Sequence, residues 1–374
     1  MSTDTLSMSF VGDVCLGLGL QSTLQKRGPD WPFVDITGVL RESDLAVANL
    51  ECTLVDDRCP FSLRSEPMAV GIENALGLKR AGIKILNLAN NHALDCGKEG
   101  LSATMRFLDN QGLAYFGAGK RLSQAETACI VTHLGRRVGF LGACDVSRFY
   151  AGENTAGIAP YKLAALTARV RALRPRVDIV VVCLHADLEF TDYPSPGRIR
   201  ASRSLVDAGA SIVVQHHPHV CQGVERYRNG LIAYSLGNFV FFVRGNKYQE
   251  SVPGTAHGVI LQTTIDFRGE TPQVDWSFVP TTITEDNRTI LSSSDEAPRQ
   301  LRHLKDISDA LSDRKRVRRE WWRRCHREVS HTALSAYYQL RRGQLLGAVA
   351  TALRSVKVSE NRRWLRGWMS GGLF

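Results

Sequence analysis

The stretch "ILNLANNHALDCG", residues 85–97, places four polar side chains directly after an apolar run that is typical of a buried strand. Asn90, Asn91, His92 and Asp95 all need hydrogen-bond partners, and burying such groups unpaired costs free energy. An amide oxygen, an imidazole and a carboxylate delivered by one strand end can hold a metal ion or contact a substrate. Taken alone, the asparagine pair is equally typical of a turn.

Polar groups also follow six other apolar runs of the chain. They are Gly12-Asp13-Val14-Cys15, Asn49-Leu50-Glu51, Asp145, His185 with Asp187 and Glu189, His216-His217-Pro218-His219, and Ser235-Leu236-Gly237-Asn238. In an open α/β sheet, ligands bind beyond the carboxyl ends of the strands, so side chains distant in sequence converge there. Each signal has a structural alternative, because an aspartate after a strand is typical of a helix N-cap and a lone histidine of a hydrogen-bonded structural residue.

Considered jointly, these strand ends favour a metal site over a set of unrelated caps. Carboxylates, imidazoles and a carboxamide form a mixed nitrogen and oxygen donor set that suits Zn, Mn or Fe better than Cu or Mg. His217 and His219 stand two residues apart. In an extended segment such a pair can bind one metal together, or each can bind one of two neighbouring metals. The sequence therefore predicts a divalent metal site.

Short apolar runs alternate with helical stretches from residue 6 to about residue 290, which predicts an α/β fold. The runs are "LSMSFVGDV", "LAVANLE", "IKILNLANNH", "RVGFLGACD", "VDIVVVCLH", "SIVVQHHPH" and "GLIAYSLGNFVF". The helical stretches between them are 66–82, 98–112, 161–175 and 197–210. These stretches have apolar residues near helical spacing and end at Gly or Pro. A later segment, 257–284, is predicted to form an antiparallel pair that closes the sheet.

The net charge of +10 is concentrated in one part of the chain. Residues 301–374 contain 17 Lys and Arg against 6 Asp and Glu, whereas the first 300 residues contain 30 against 31. We expect a domain over 1–290, a linker over 291–300 and a basic, helical extension over 301–374. Arginines interleaved with Trp and Tyr leave three readings for that extension: a helical pair packed on the body, peripheral binding to an anionic membrane, and, least expected, binding to nucleic acid.

The expected location is cytoplasmic, including the inner face of the membrane. No apolar run reaches the length of about 18 residues that a spanning helix needs. The first residues, "MSTDTLSMSFVGDV", lack the basic and apolar regions of a secretory signal. The nine cysteines form no CxxC pair and stand mostly in apolar runs, which predicts reduced core cysteines rather than a disulfide framework.

The motifs as a group resemble the CapA family, named for poly-γ-glutamate capsule synthesis, which is similar to calcineurin-like metallophosphoesterases. The resemblance runs in order from about residue 8 to residue 280 and leaves the basic extension uncovered. Its motifs are "FVGDVCLG", "NLE", "NLANNHALDCG", "HADLEF…YPSP" and "HHPHVCQGVERYRNGLIAYSLGNFVF". The resemblance implies an α-β-β-α sandwich with mixed sheets.

The resemblance also implies roles for individual residues. Two divalent cations, Mn, Zn or Fe, would be held by Asp13, Glu51, Asn91, His185, His217 and His219. Glu51 would bridge the two metals, Asp13 and His219 would belong to the first, and Asn91, His185 and His217 to the second. His92 would act on the substrate as a catalytic acid, and Asp95 would orient its ring. Glu189, Asn238 and Arg64 are candidate substrate-binding residues, with a loop-holding or surface role as the alternative for each.

Three features depart from the metallophosphoesterase pattern. Cys15 stands where a second histidine is common, so it is a candidate ligand through its thiolate or else a small core residue. Glu51 replaces the usual bridging aspartate and is one methylene longer. "HADLE" replaces the "HWGxE" of many relatives. The first metal therefore has fewer assured ligands than the second, and a mononuclear site is the alternative.

The leading functional hypothesis is a metal-dependent hydrolase that supports capsule, exopolysaccharide or poly-γ-glutamate biosynthesis. It would cleave a phosphoester or an amide bond in an anionic polymer or its precursor. The alternative is a non-catalytic assembly or binding component of a polymer synthesis or export system. Retention of so many buried polar groups favours the hydrolase, since such groups cost free energy when unpaired.

Overall fold

Two β-sheets packed face to face form the centre of the computed structural model, which describes residues 4–56, 66–341, 345, 349 and 365–370. The strands are Thr5–Val14 (β1), Leu45–Leu50 (β2), Thr53–Val55 (β3), Ala69–Gly71 (β4), Ile83–Asn87 (β5), Ala114–Phe116 (β6), Ala118–Gly119 (β7), Cys129–His133 (β8), Arg136–Cys144 (β9), Gly157–Ile158 (β10), Ile179–His185 (β11), Ile212–His216 (β12), Val224–Tyr227 (β13), Gly230–Ala233 (β14), Asn238–Val240 (β15), His257–Asp266 (β16), Gln273–Ile283 (β17) and Thr289–Leu291 (β18). The α-helices are Leu20–Arg27 (α1), Thr37–Arg41 (α2), Leu76–Arg80 (α3), Gly97–Gln111 (α4), Leu122–Ala125 (α5), Leu163–Leu173 (α6), Pro196–Asp207 (α7), Lys247–Glu250 (α8), Ala297–Ala310 (α9) and Arg314–Arg341 (α10). Short 3-10 helices cover Trp31–Phe33, Ile72–Ala75 and Arg174–Arg176.

Both sheets are mixed. The first has the strand order β18-β17-β16-β1-β2-β5-β6, with β15 also paired to β1, and the second has the order β13-β14-β12-β11-β9-β8. The central strands β1, β2 and β5 run parallel to one another, as do β9, β11, β12 and β14. Strands β16 and β17 form the predicted antiparallel pair and extend the first sheet from β1.

Alternating apolar residues on the strands build the core in layers. Between the sheets, Met8, Phe10 and Val47 of the first pack in one buried cluster with Phe140 and Val181 of the second. The outer face of the first sheet packs on α1 to α4, and the outer face of the second packs on α6, α7 and part of α10. This arrangement confirms the predicted α-β-β-α sandwich with mixed sheets.

The sequence prediction is wrong in detail at three segments. The run 230–241, read as one strand, is split between the sheets, because β14 belongs to the second and β15 to the first. The stretch 66–82, read as one helix, contains β4, a 3-10 turn and α3. In the expected linker region, β18 pairs with β17 and α9 already begins at Ala297, so the irregular segment is short.

The cysteines differ from the prediction at one position. Cys96 is disulfide-bonded, whereas seven others in the described chain are free. A search for CxxC could not find this bond, because disulfide formation depends on proximity in space and not on spacing in sequence. Cys59 lies outside the described residues. A disulfide removes the argument for a cytoplasmic location that was based on reduced cysteines, so that location stays a prediction.

A close backbone approach joins β1 to the turn before β15. The amide of Asp13 donates to the carbonyl oxygen of Gly237 at 3.1 Å, and a Cβ built on Gly12 would lie 1.9 Å from that same oxygen. Gly237 itself has φ +73°, in the left-handed region that favours glycine. These two glycines allow the chain to cross from one sheet to the other beside Asp13.

We expect Gly12→Ala to lower the free energy of unfolding by about 3 kcal/mol or more, because the methyl group must displace backbone atoms. The measurement is urea denaturation followed by circular dichroism. Gly38→Ala is the matched control: it lies in α2 with nothing within 4 Å of the built Cβ, and it should be neutral or slightly stabilising. Equal stability of the two variants would contradict the close-approach argument.

Candidate metal centre

The carboxyl ends of the central strands meet at one edge of the sandwich. Strand register places Asp13 beside Asn49 and Asn49 beside Asn87 in the first sheet, and His185 beside His216 in the second. Because the two sheets pack face to face, the polar residues of both sheets approach each other at this edge. The side chains predicted from separate strand ends are therefore brought together.

Asp13 is completely buried and has polar contacts on several sides. Its Oδ1 accepts a hydrogen bond from Asn49 Nδ2 at 2.8 Å and lies 3.4 Å from His216 Nδ1. Its Oδ2 accepts from the backbone amide of His217 at 3.2 Å and lies 3.5 Å from His219 Nδ1. Burial alone would raise the pKa of Asp13, but the hydrogen bond and charge of His216, with the charge of His219, hold it below the ordinary range. Asp13 is therefore a carboxylate in the folded protein.

Glu51 lies at the centre of the imidazoles. Its Oε1 is 3.5 Å from His185 Nε2, 3.9 Å from His92 Nε2 and 3.9 Å from His219 Nε2. Among the described residues, two overlapping groups have ligand atoms within 4.8 Å of one another. They are Glu51, His217 and His219, and Asp13, Glu51 and His185. Glu51 belongs to both groups, as expected of a residue that bridges two ions.

Asn49 connects the two parts of the site. Its Nδ2 group donates to Asp13 Oδ1 and lies 3.2 Å from His185 Nδ1. Its Oδ1 accepts hydrogen bonds from Asn87 Nδ2 at 2.9 Å and from Asn90 Nδ2 at 3.4 Å. The side chain uses both ends of its amide and is held from both sides. Asn49 is thus placed to fix Asp13 and His185 relative to each other.

His185 and Asn91 face each other within the same buried space. His185 Nε2 lies 2.7 Å from Asn91 Oδ1, and the His185 ring lies 4.8 Å from the ring of His217, centroid to centroid. Burial lowers the pKa of His185 well below its ordinary value, although the charge of Asp13 opposes this. The neutral imidazole that results is the form that binds a metal.

The segment "HHPH" forms a strained turn. His217 has φ +99° and His219 has φ +58°, both in the left-handed region that costs about 1–3 kcal/mol for a residue with a side chain. His219 Nδ1 lies 2.9 Å from Asn238 Oδ1, which accepts the Nδ1 proton and leaves Nε2 directed toward Glu51. Asn238 Nδ2 donates in turn to the carbonyl oxygen of Thr255 at 2.9 Å. The predicted candidate Asn238 thus holds His219 in place.

His92 and Asp95 form a buried pair. His92 Nδ1 lies 2.8 Å from Asp95 Oδ2. That same oxygen accepts a hydrogen bond from the backbone amide of Met68 at 2.9 Å. Asp95 is completely buried and His92 is 5% exposed. The contact leaves His92 Nε2 on the side of Glu51. The two residues therefore have the relation expected of an imidazole oriented by a carboxylate.

Other predicted residues lie at the margin of the site or outside the described chain. Cys15 is buried and hydrogen-bonds to Cys52, a contact that, with burial, raises the pKa of its thiol. It belongs to neither group of converging ligand atoms described above. Glu189 Oε2 accepts a hydrogen bond from Tyr248 Oη at 2.5 Å at the rim. Arg64 lies outside the described residues.

Asn49 and His216 both contact Asp13, but they were not among the predicted site residues. Both stand at strand ends that the sequence had already marked as polar. The signal that could have found them is register: Asn49 is the direct neighbour of Asp13 on β2, and His216 is the neighbour of His185 on β12. Strand pairing is not readable from one strand alone, so these contacts required the fold.

The donor set fits a divalent cation. Two buried carboxylates, three imidazoles and an amide oxygen lie close together, and this mixture of nitrogen and oxygen ligands suits Zn, Mn or Fe. Burying two carboxylates together is costly unless positive charge compensates them. The residues present therefore match what metal binding requires, whereas the number and identity of the ions stay predictions.

The sequence from residue 7 to residue 242 matches the family model described as bacterial capsule synthesis protein PGA_cap. This match covers more than half of the chain. The chain belongs to the PGA_cap family. The resemblance drawn from the strand-end motifs is confirmed.

Two relatives of known name are similar over the same part of the chain. The PGA biosynthesis protein CapA of Bacillus subtilis (strain 168) is 34% identical over 244 residues, 64% of this chain and 64% of that protein. The capsule biosynthesis protein CapA of Bacillus anthracis is 33% identical over 249 residues, 64% of this chain and 60% of that protein. The aligned region spans less than two thirds of each relative. Among solved structures, 5'-nucleotidase from Candida albicans SC5314 superposes with a TM-score of 0.44 at 11% identity, over 82% of this chain and 59% of that one.

We expect the purified PGA_cap protein to contain about two equivalents of a transition metal per chain. His217→Ala should lose one of them and keep much of the other, because His219 and Asp13 remain. Elemental mass spectrometry measures both. His133→Ala, whose imidazole pairs with Asp44 away from the site, is the control and should keep the full content. Absence of metal after reconstitution with Mn, Zn or Fe would contradict the site.

Asn49→Ala should weaken metal binding about 10–100-fold, since outer partners of metal ligands typically contribute that much. The measurement is competition with a chromophoric chelator. Asn74→Ala is the control, because Asn74 is also a buried asparagine but its side chain donates to Glu73 instead of contacting the site. Equal affinities in the two variants would show that Asn49 only stabilises the fold.

Proposed function

We propose that this PGA_cap protein is a metal-dependent hydrolase acting in capsule or poly-γ-glutamate biosynthesis. The observation that supports it most is the position of Glu51 Oε1, within 3.5–3.9 Å of the Nε2 atoms of His185, His92 and His219. A buried carboxylate surrounded by imidazoles, with Asp13 beside them, is an arrangement that metal hydrolysis uses and a packed core does not need.

The proposed metal-binding roles are those that the family resemblance implies, with Glu51 common to both groups of converging ligand atoms. Asp13, Glu51 and His219 would hold one cation, and Glu51, Asn91, His185 and His217 would hold a second. Bound divalent cations polarise a substrate oxygen and lower the pKa of a water molecule, so hydrolysis becomes feasible near neutral pH. Asn49 keeps Asp13 and His185 in register, and Asn238 keeps the Nε2 atom of His219 directed inward.

His92 is the proposed proton donor to the leaving group. Its Nδ1 is held by Asp95, which fixes the orientation of the ring, so Nε2 is the atom presented to the substrate. The backbone amide of Met68 keeps Asp95 in place by donating to the same oxygen. Because His92 is nearly buried, the proton is delivered inside the site and not lost to bulk water.

The proposed substrate is an anionic capsule polymer or its precursor. Two relatives are named for PGA or capsule biosynthesis, which supports such a polymer or its precursor as the substrate. The bond proposed to be cleaved is a phosphoester or a γ-glutamyl amide. Both bonds present an electrophilic centre with an oxygen that a cation can polarise. The assignment to capsule biosynthesis is by similarity of family and not of site chemistry.

A non-catalytic assembly role is the second candidate, and one observation favours it. Cys15 contacts Cys52 and not Asp13, so the cation beside Asp13 would have few protein ligands. An assembly component would need the site only as a structural metal centre. The intact pair of His92 and Asp95 argues for catalysis, because a structural centre has no use for an oriented imidazole beside its ligands.

We expect His92→Asn to lower hydrolysis by about a hundredfold or more while the metal content stays unchanged. Suitable substrates are p-nitrophenyl phosphate, bis(p-nitrophenyl) phosphate and γ-glutamyl-p-nitroanilide, assayed with the reconstituted protein. His133→Asn is the control and should keep full activity. Metal-loaded protein that cleaves none of these, nor a poly-γ-glutamate chain, would favour the assembly role.

A further inference from the structure

Helix α10 has two different sides. One side is buried: Val317, Trp321 and Cys325 recur every four residues and are 1%, 3% and 0% exposed. Trp321 and Cys325 pack with Leu188, which belongs to the loop after β11. Successive residues turn about 100° around a helix, so residues on the opposite side point away from the body. That opposite side is called here the outer face of α10.

The first half of the outer face is basic. Arg316, Arg319, Arg323 and Arg327 follow one another at helical spacing and are all exposed. Glu320 lies among them and contacts Arg319 and Arg323, but it is only 27% exposed, against 57% and 58% for the two arginines. The solvent-facing charge of this half is therefore positive.

The second half of the outer face is apolar. Leu334, Tyr337 and Tyr338 continue the same row near the end of α10 and are 51%, 51% and 54% exposed. Single exposed apolar residues are ordinary, but a row on one helix face marks an interaction surface. Within the described residues, no helix has the length and apolar character needed to cross a membrane.

A second element adds apolar surface beside this face. The helical turn at 365–370 packs on α10, where Trp322 Nε1 donates to the carbonyl oxygen of Trp368 at 3.2 Å and His326 stacks on Trp322 at 5.0 Å. Trp368 and Met369 remain 37% and 65% exposed. Tryptophan with an exposed apolar edge beside arginines is typical of the membrane–water interface.

We propose that the outer face of α10 docks on an anionic lipid surface. The arginine half would contact the phosphates of the head groups, and the side chains of Leu334, Tyr337 and Tyr338 would insert at the level of the acyl chain boundary. Both halves are needed, because basic residues near an anionic bilayer and buried apolar side chains each contribute modestly to interfacial binding. The inference is independent of the chemistry at the metal centre.

Charge decides against two other occupants. A second copy in parallel orientation would place the arginines opposite one another, and an antiparallel copy would place arginines opposite the apolar row. A nucleic acid would use the arginines but leave Leu334, Tyr337 and Tyr338 exposed, since its phosphate contacts are electrostatic. An anionic bilayer is complementary to both halves at once.

The test is sedimentation of the full chain with vesicles of phosphatidylcholine alone and with about 30 mol% phosphatidylglycerol. We expect binding to the anionic vesicles that weakens as salt is raised, and little binding to neutral ones. The triple variant Arg319→Glu, Arg323→Glu, Arg327→Glu should bind about tenfold less or weaker still. The double variant Leu334→Ser, Tyr338→Ser should also bind less, at unchanged charge.

Two control variants test whether any loss of vesicle binding is specific to the outer face of α10 or follows from net charge and exposed apolar area alone. One control is a triple variant that makes the same charge change at exposed positions of the body: Lys120→Glu, Arg171→Glu, Arg176→Glu. The other is a double variant that removes exposed apolar side chains elsewhere: Val34→Ser, Leu291→Ser. Both should bind like the unaltered chain. Equal losses in the controls, or no preference for anionic vesicles, overturn the proposal. A dimer seen by light scattering and abolished by the Leu334 and Tyr338 changes, without vesicle binding, would assign the face to a second copy.

Discussion

Two completely buried carboxylates, Asp13 and Glu51, set the constraint on which the rest of the site depends. Charges in a protein interior must be paired or hydrogen-bonded, because desolvating them is costly. The chain meets this requirement with groups drawn from both sheets: Asn49 from β2, His185 from the end of β11, and the histidines after β12. The carboxylates and the imidazoles are therefore compatible only when the two sheets pack with their strand ends together.

The same constraint explains the unusual backbone around the site. His217 and His219 adopt positive φ, and so do Asp187 and Phe190 in the neighbouring loop. Such conformations cost free energy and persist where surrounding contacts determine them. Asp13 supplies one such contact by accepting a hydrogen bond from the backbone amide of His217. The ring of Phe190 lies 6.0 Å from the ring of His219, centroid to centroid. The strain is the consequence of bringing two histidines from one short turn to a common carboxylate.

Much of the fold was predictable from the sequence, since apolar runs and helical spacing report burial directly. Most side chains that converge at the candidate metal centre could also be marked from the sequence, because polar side chains after buried strands are conspicuous. Pairing between strands was not readable, and so Asn49 and His216 were missed. Cys15 shows why spacing alone leaves alternatives open: it stands two residues after Asp13, but its thiol is buried and contacts Cys52. A partner on another segment of the chain is not readable from the spacing.

The contact between α10 and the loop after β11 connects the two surfaces of interest in this molecule. Leu188 packs on Trp321 and Cys325, and Arg324 Nε donates to the carbonyl oxygen of Phe190 at 3.0 Å. Phe190 also contacts the ring of Tyr248, whose hydroxyl group reaches Glu189. The loop has two residues at positive φ, so it depends on such outside support to keep its conformation. Helix α10 therefore stabilises the loop that follows His185, through its packing on Leu188 and its hydrogen bond to Phe190.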